Sequence, residues 1–267
     1  MTVARMEKVK VFLSDPQILF REGIHFILSG EEDFEVTGET TSNEEAFTLI
    51  DANPPNIAVL SMLDKKSAGT DITRRIKRSQ PSVCVILTME KKEDEAVFEA
   101  LKSGASACLT KDSEAEQLLD IIRVVSQGSI PIIDELMTPG VAAMALAEFE
   151  NLNALNEHMD NLLARLTQKE TQALGGLAAG GTLEQVAVKT GSTEDAVRRQ
   201  LRLVLNKLVT NDQAEMVIEA AQRSLPQIVR TPMKRGGKPV EYVTKAEFNE
   251  FKDKLMERLK SMLGELS

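Results

Sequence analysis

Between Val9 and Gln127 the chain alternates short apolar runs with amphipathic stretches, five times over. Val9–Leu13, Phe34–Glu39, Ile57–Leu60, Val83–Thr88 and Ala107–Thr110 read as strands. Phe20–Leu28, Asn43–Ala52, Ile72–Arg78, Glu93–Lys102 and Glu114–Val125 repeat their apolar residues at helical spacing. A helix placed between two such strands returns the chain to the start of the sheet, so the next strand runs parallel to the last. The pattern therefore predicts a doubly wound α/β sheet. Five strands and five helices fit the flavodoxin-like order 2-1-3-4-5.

The second half of the chain changes character and reads as all-α. Thr167 followed by Glu170, and Thr182 followed by Gln185, are capping boxes in which a hydroxyl and a carboxylate or amide satisfy the free N–H groups of a new helix. Thr193 is a third N-cap, Gly180-Gly181 stops the first helix, and Gly191 sits at the turn before the last. Three short helices follow from these signals. In the third, Val197, Leu201, Val204, Leu205 and Leu208 share one face, while Asp195, Arg198, Arg199, Arg202 and Asn206 share the opposite face. A guanidinium on such a face can fork onto guanine O6/N7 or pair with phosphate. That is the layout of a helix-turn-helix, whose last helix enters the major groove.

Leu166-Thr167…Glu170, Gly180, Val186-Ala187, Thr193…Ala196-Val197-Arg198 and Val204-Leu205-Asn206-Lys207-Leu208 follow one family pattern without a gap. The module resembles the LuxR-type helix-turn-helix of NarL- and FixJ-type response regulators. The resemblance implies a homodimer on double-stranded DNA. It makes Arg198 the main base reader, with Arg199, Arg202, Asp195 and Asn206 beside it and Thr193 and Lys207 on phosphates. Ala196 stands where the family usually has Thr, and Gln200 where His is common.

The first half resembles the receiver domain of the same family through Phe20-Arg21-Glu22-Gly23, Gly69, Leu87-Thr88, Gly104-Ala105 and Leu109-Thr110-Lys111-Asp112. A receiver accepts a phosphoryl group on an Asp at the end of its third strand, beside Mg²⁺ held by that Asp and an acidic pair after the first strand. In this chain the resemblance puts Ser61 at the acceptor position, Asp15-Pro16 at the acidic pair and Cys108 at the aromatic switch, while Thr88 and Lys111 keep the family residues. Asp64-Lys65 replaces the usual Met-Pro. A degenerate pocket of Asp15, Pro16, Ser61, Thr88 and Lys111 is expected, in a receiver that folds and dimerises without phosphotransfer. A pocket repurposed for an anion or small ligand through Lys111 and Thr88 is a second reading, and phosphorylation on Ser61 or Asp64 a third. No enzymatic activity and no cofactor are expected.

The organisation then reads as a receiver-like domain at 8–128, a linker helix at 129–165, the helix-turn-helix at 166–224, a basic linker at 225–243 and an amphipathic helix at 244–267. Leu152, Leu155, Met159 and Leu162 alternate at three and four residues in the linker helix, as in a coiled-coil seam. The same spacing also fits a helix packed on its own receiver. Phe248, Leu255, Leu259 and Met262 form a second narrow stripe, suited to self-association or to a protein partner.

The net charge of −9 gives no global attraction to nucleic acid, so DNA binding needs a local basic patch. Aromatic residues are 4% and Trp is absent, which argues against base-stacking single-strand binders. Two cysteines, Cys84 and Cys108, cannot make a disulfide framework, and two histidines, His25 and His158, with no Cys/His cluster, predict no zinc site. No apolar run is long enough to span a bilayer and no export signal is visible, so a cytoplasmic protein with no membrane contact is expected. The acidic balance also suits a signalling scaffold or antagonist that grips a partner through coiled-coil contacts without touching DNA.

Overall fold

The structure, a computed structural model, describes residues 8–63, 68–156 and 163–224. The chain divides into two compact units, Met1–Thr210 and Asn211–Ser267. In the first unit the described elements run β1 (Val9–Ser14), α1 (Ile18–Ser29), β2 (Phe34–Thr40), α2 (Asn43–Ala52), β3 (Ile57–Ser61), α3 (Gly69–Ser79), β4 (Cys84–Met89), α4 (Asp94–Lys102), β5 (Ala107–Thr110) and α5 (Ala115–Ser126). A 3-10 helix (Pro131–Met137) and α6 (Pro139–Asn156) connect these to α7 (Gln168–Ala178), α8 (Leu183–Lys189) and α9 (Glu194–Ser224).

The five strands form one parallel sheet in the order β2-β1-β3-β4-β5. This is the flavodoxin-like fold read from the alternation. All five residues of β3 are buried, as a central strand covered by helices on both faces requires. Val11, Leu13, Ile57, Val59 and Ile86 face α1 and α5, while Phe12, Ala58, Leu60, Val85 and Leu87 face the opposite side. The second of these cores does not stop at the sheet. It continues through Ile132 and Leu136 of the 3-10 helix and Val141, Ala145 and Phe149 of α6 to Leu174, Val197, Leu201 and Leu205. Sheet, connector and three-helix module thus share one apolar interior, with Phe149 only 2% exposed.

That interior decides the role of α6. The helix lies against α4 and α7, and Lys102 of α4 is ion-paired with Glu148 of α6. Leu152, read above as part of an intermolecular seam, is 4% exposed and spent on packing within its own chain. The seam reading fails there because spacing of three and four residues is the same whichever surface the stripe covers. The side chain of Leu155, and residues His158, Met159 and Leu162, lie outside the described residues, as do Asp64, Lys65, Phe248, Leu255, Leu259 and Met262.

A second correction concerns α9. The third helix, read from sequence as short, runs as α9 without a break for 31 residues. Neither Gly nor Pro occurs between Glu194 and Ser224, so nothing in the sequence stops it.

Candidate functional site

Candidate functional side chains gather at two places, one at the C-terminal ends of the strands and one on α9. At the first, parallel register sets Ser61 beside Thr88 and Ser14 beside Leu60, so Asp15 emerges next to Ser61. Asp15, Ser61 and Thr88 are 3%, 1% and 2% exposed. Lys111, the residue after β5, reaches back to Asp15 with its Nζ 2.9 Å from Oδ2 and 3.1 Å from Oδ1. It also lies 3.4 Å from Glu90 and 5.1 Å from the ring centre of Phe20. The backbone N–H of Gln17 donates to Asp15 Oδ1 at 2.8 Å, and Arg21 donates to the Asp15 carbonyl at 3.0 Å.

Ser61 is held just as firmly. Its Oγ donates to the Leu63 carbonyl at 3.2 Å, and its own carbonyl accepts from Asn43 Nδ2 at 2.8 Å. Asn43 Oδ1 in turn accepts from Ser14 Oγ at 2.8 Å. Gly69 closes over this turn: a Cβ there would stand 2.4 Å from the Ser61 carbonyl oxygen, so only glycine fits. Among the described residues the site offers the Asp15 carboxylate, already matched by Lys111, with Glu90 on the same lysine, and the Ser61 hydroxyl, which is bonded to a backbone carbonyl and not to a base. A hydroxyl without a base is a poor nucleophile. Among the described residues Asp15 is the buried carboxylate beside Ser61, it is already matched by Lys111, and Pro16 adds no ligand, so these residues do not fit Mg²⁺.

The helical site is assembled by its caps. The Thr167 N–H donates to Glu170 Oε2 at 2.6 Å while Thr167 Oγ1 accepts from the Glu170 N–H at 3.3 Å, and Thr182 with Gln185 repeats the exchange at 3.0 and 3.2 Å. Thr193 accepts from the Ala196 N–H at 3.2 Å and so starts α9. Gly180 and Gly191, at φ of 82° and 62°, take the left-handed turns that side chains disfavour. These turns aim α9 so that Val197, Leu201, Val204, Leu205 and Leu208 are buried while Asp195, Arg198, Arg199, Arg202 and Asn206 are exposed together.

Two of the cations on or beside that face already have anionic partners. Arg198 NH1 lies 2.7 Å from Asp134 Oδ1 on the 3-10 helix, with the two side chains 44% and 55% exposed. Lys207 Nζ lies 2.6 Å from Glu170 Oε2 and donates to the Arg165 carbonyl at 3.0 Å. Burial pushes the Glu170 carboxyl up, but the Lys207 ammonium and the Thr167 N–H outweigh it and hold it below the usual carboxylate range. Lys207 therefore ties α9 to α7, where the sequence reading gave it a phosphate. Arg199, Arg202 and Asn206 point into solvent.

Residues 11–123 match the family model "Response regulator receiver domain". This part of the chain is a response regulator receiver domain. Over 214 residues the chain is 28% identical to the transcriptional regulatory protein LnrK of Bacillus subtilis (strain 168), covering 79% of this chain and 95% of that protein. Over 219 residues it is 27% identical to the response regulator protein VraR of Staphylococcus epidermidis, covering 82% and 99%. Among solved structures, the signal receiver domain of the putative response regulator NarL from Mycobacterium tuberculosis is 30% identical, covering 46% of this chain and 98% of that one, with a TM-score of 0.45. The chain's relatives are response regulators that act in transcription.

In the receiver domain the sequence reading found Asp15, Ser61, Thr88 and Lys111, and the fold brings them together. It missed Asn43, Gln17 and Glu90, which are polar residues in loops or at helix starts with no spacing that marks them. Asp134, the partner of Arg198, is 64 residues away along the chain and left no local signal. Cys84 and Cys108 sit on adjacent strands, but Cys108 pairs with Leu87, three residues from Cys84, so the two thiols lie on opposite faces of the sheet. A disulfide between them is excluded. Burial pushes the Cys108 thiol up to about 12, with Glu135 adding to the shift and Lys92 opposing it.

Proposed function

We propose that this protein is a DNA-binding transcriptional regulator that works as a dimer in the cytoplasm and is not switched by phosphotransfer. The observation that carries the reading is the exposed row Arg198, Arg199, Arg202 and Asn206 on α9, opposite a fully buried apolar face and behind two complete capping boxes. Such a helix presents guanidinium groups to base edges, and its partner in a dimer would occupy a half-site about one helical turn away. Ser61 at the acceptor position, Pro16 in place of a second acid, and the Lys111–Asp15 pair support a receiver whose usual input is absent. The relatives named for transcriptional regulation support the same role.

A second reading is a scaffold that binds a protein partner and leaves DNA alone. It is favoured by the Arg198–Asp134 and Lys207–Glu170 pairs, which occupy two cations that the DNA reading needs. Duplex binding measured against salt separates the two. A DNA reader loses affinity linearly in log–log form as salt rises, with a slope set by the number of phosphates it neutralises. A scaffold gives no duplex binding even at low salt.

A further inference from the structure

Between α1 and α5 lies a cavity of about 240 Å³. Ile24, Ile27, Leu109 and Leu118 make its walls apolar, and Thr110, Lys111 and Ser113 form a polar end. We propose that this cavity is a binding site for a small, neutral aromatic molecule of about ten non-hydrogen atoms, a size scaled from the six of benzene in a 150 Å³ apolar cavity. The inference goes beyond the DNA-binding reading and does not depend on it.

The first support is Gly23. It lies in the middle of α1 and lines the cavity, and a Cβ added there meets nothing within 4 Å. Its φ is not among the positive ones. A mid-helix glycine weakens a helix relative to alanine, and here neither backbone conformation nor close packing calls for it. Gly23 is exposed, and its missing side chain leaves open the space beside this cavity wall. At the mouth, Leu19 is 89% exposed, so a bound ring would cover an apolar side chain that is now in water.

The second support is charge, which selects a neutral ligand. The Lys111 ammonium is already matched by Asp15 at 2.9 Å and Glu90 at 3.4 Å. Glu114 also lines the polar end, so an incoming carboxylate or phosphate would meet more negative charge than positive. Thr110 Oγ1 and Ser113 Oγ are 3.1 Å apart and bonded to one another. The anion expected at Lys111 from sequence is therefore disfavoured, which leaves an uncharged occupant, and Phe20, which also lines the cavity, favours an aromatic ring. The volume lies below the usual range for drug-sized ligands, which restricts the class to small rings.

The test is titration of the full chain with indole, followed by two-dimensional amide NMR. The expected result is saturable shifts at Gly23, Ile24, Ala115 and Leu118. Gly23→Leu should abolish them while keeping a native spectrum, because its Cβ enters open space and leucine is the better helix former. Gly23→Ala, which fills little of the cavity, should still bind. Indole-3-acetate should bind no more tightly than indole. The proposal is overturned by an absence of saturable shifts, or by unchanged binding in Gly23→Leu. Tighter binding of indole-3-acetate would also overturn it and assign an anion site. So would a concentration-dependent self-association that shifts the same amides while indole does not, which would give the cavity to a second copy of the chain.

Discussion

If α9 reads DNA as proposed, Asp134 and DNA compete for the Arg198 guanidinium, and that competition can be measured. In the free protein Arg198 is held 2.7 Å from Asp134, with both side chains about half exposed. A pair in that setting contributes roughly 0–1 kcal/mol, because water and salt screen it and two long side chains lose freedom to make it. Asp134→Asn keeps the shape and removes the charge. It should therefore tighten duplex binding by up to about fivefold at low salt, and less as salt rises. A base contact by Arg198 is worth about 1–3 kcal/mol, so Arg198→Ala should weaken binding by that amount less what the ion pair already costs. The loss should be larger in the Asp134→Asn background, where nothing competes. Removing one acid near DNA also acts through space, and Asp134→Asn made in the Arg198→Ala protein measures that part alone. Fluorescence anisotropy of a selected duplex with all four proteins closes the cycle. If Asp134→Asn changes affinity equally with and without Arg198, the two residues do not compete and the reasoning is wrong.

Glu170→Gln keeps an acceptor for the Thr167 N–H but leaves Lys207 without its anion. With Glu170 3% exposed, the substitution should cost about 2 kcal/mol in urea denaturation, less than the roughly 3–5 kcal/mol of a fully buried pair because Lys207 can still reach water. Because the folded Glu170 carboxyl is held below its ordinary value, its contribution is complete above the ordinary carboxylate range and is lost as pH falls through the folded value. Thermal melts from neutral to acid pH should show that loss in the wild type, and a smaller one in Glu170→Gln. Cys108, buried and raised to about 12, should resist alkylation at pH 8 while Cys84 reacts first, and peptide mass spectrometry that finds Cys108 labelled first would contradict the burial argument. Incubation with a small phosphodonor and Mg²⁺ should leave the mass of the protein unchanged, whereas one added phosphoryl group on Ser61 would restore a phosphotransfer input.

The receiver half was readable because strand–helix alternation is a strong local signal, and because residues just after a strand end are placed by it. The resemblance to the receiver family then assigns Asp15, Ser61, Thr88 and Lys111 to those strand ends. The α9 face was readable for the same reason, since buried Val197, Leu201, Val204, Leu205 and Leu208 leave only one side for the arginines. What escaped was non-local. Nothing near Arg198 marks Asp134, and nothing near Lys207 says that it would turn inward to Glu170 and not outward to phosphate. Leu152 shows a second limit, because a stripe states that a helix buries a face and not what covers it. The unbroken course of α9 past Leu208 was not read, because the apolar face traced in the sequence ends there.

The central claim is that the exposed face of α9 reads double-stranded DNA while the receiver takes no phosphoryl group. Selection of bound fragments from a random duplex pool by purified, unphosphorylated protein tests it most directly. The account predicts enrichment of a paired motif with half-sites about one helical turn apart, lost when Arg199 and Arg202 are both changed to Ala. Failure to enrich any sequence at low salt, or enrichment that survives the double substitution, would contradict it.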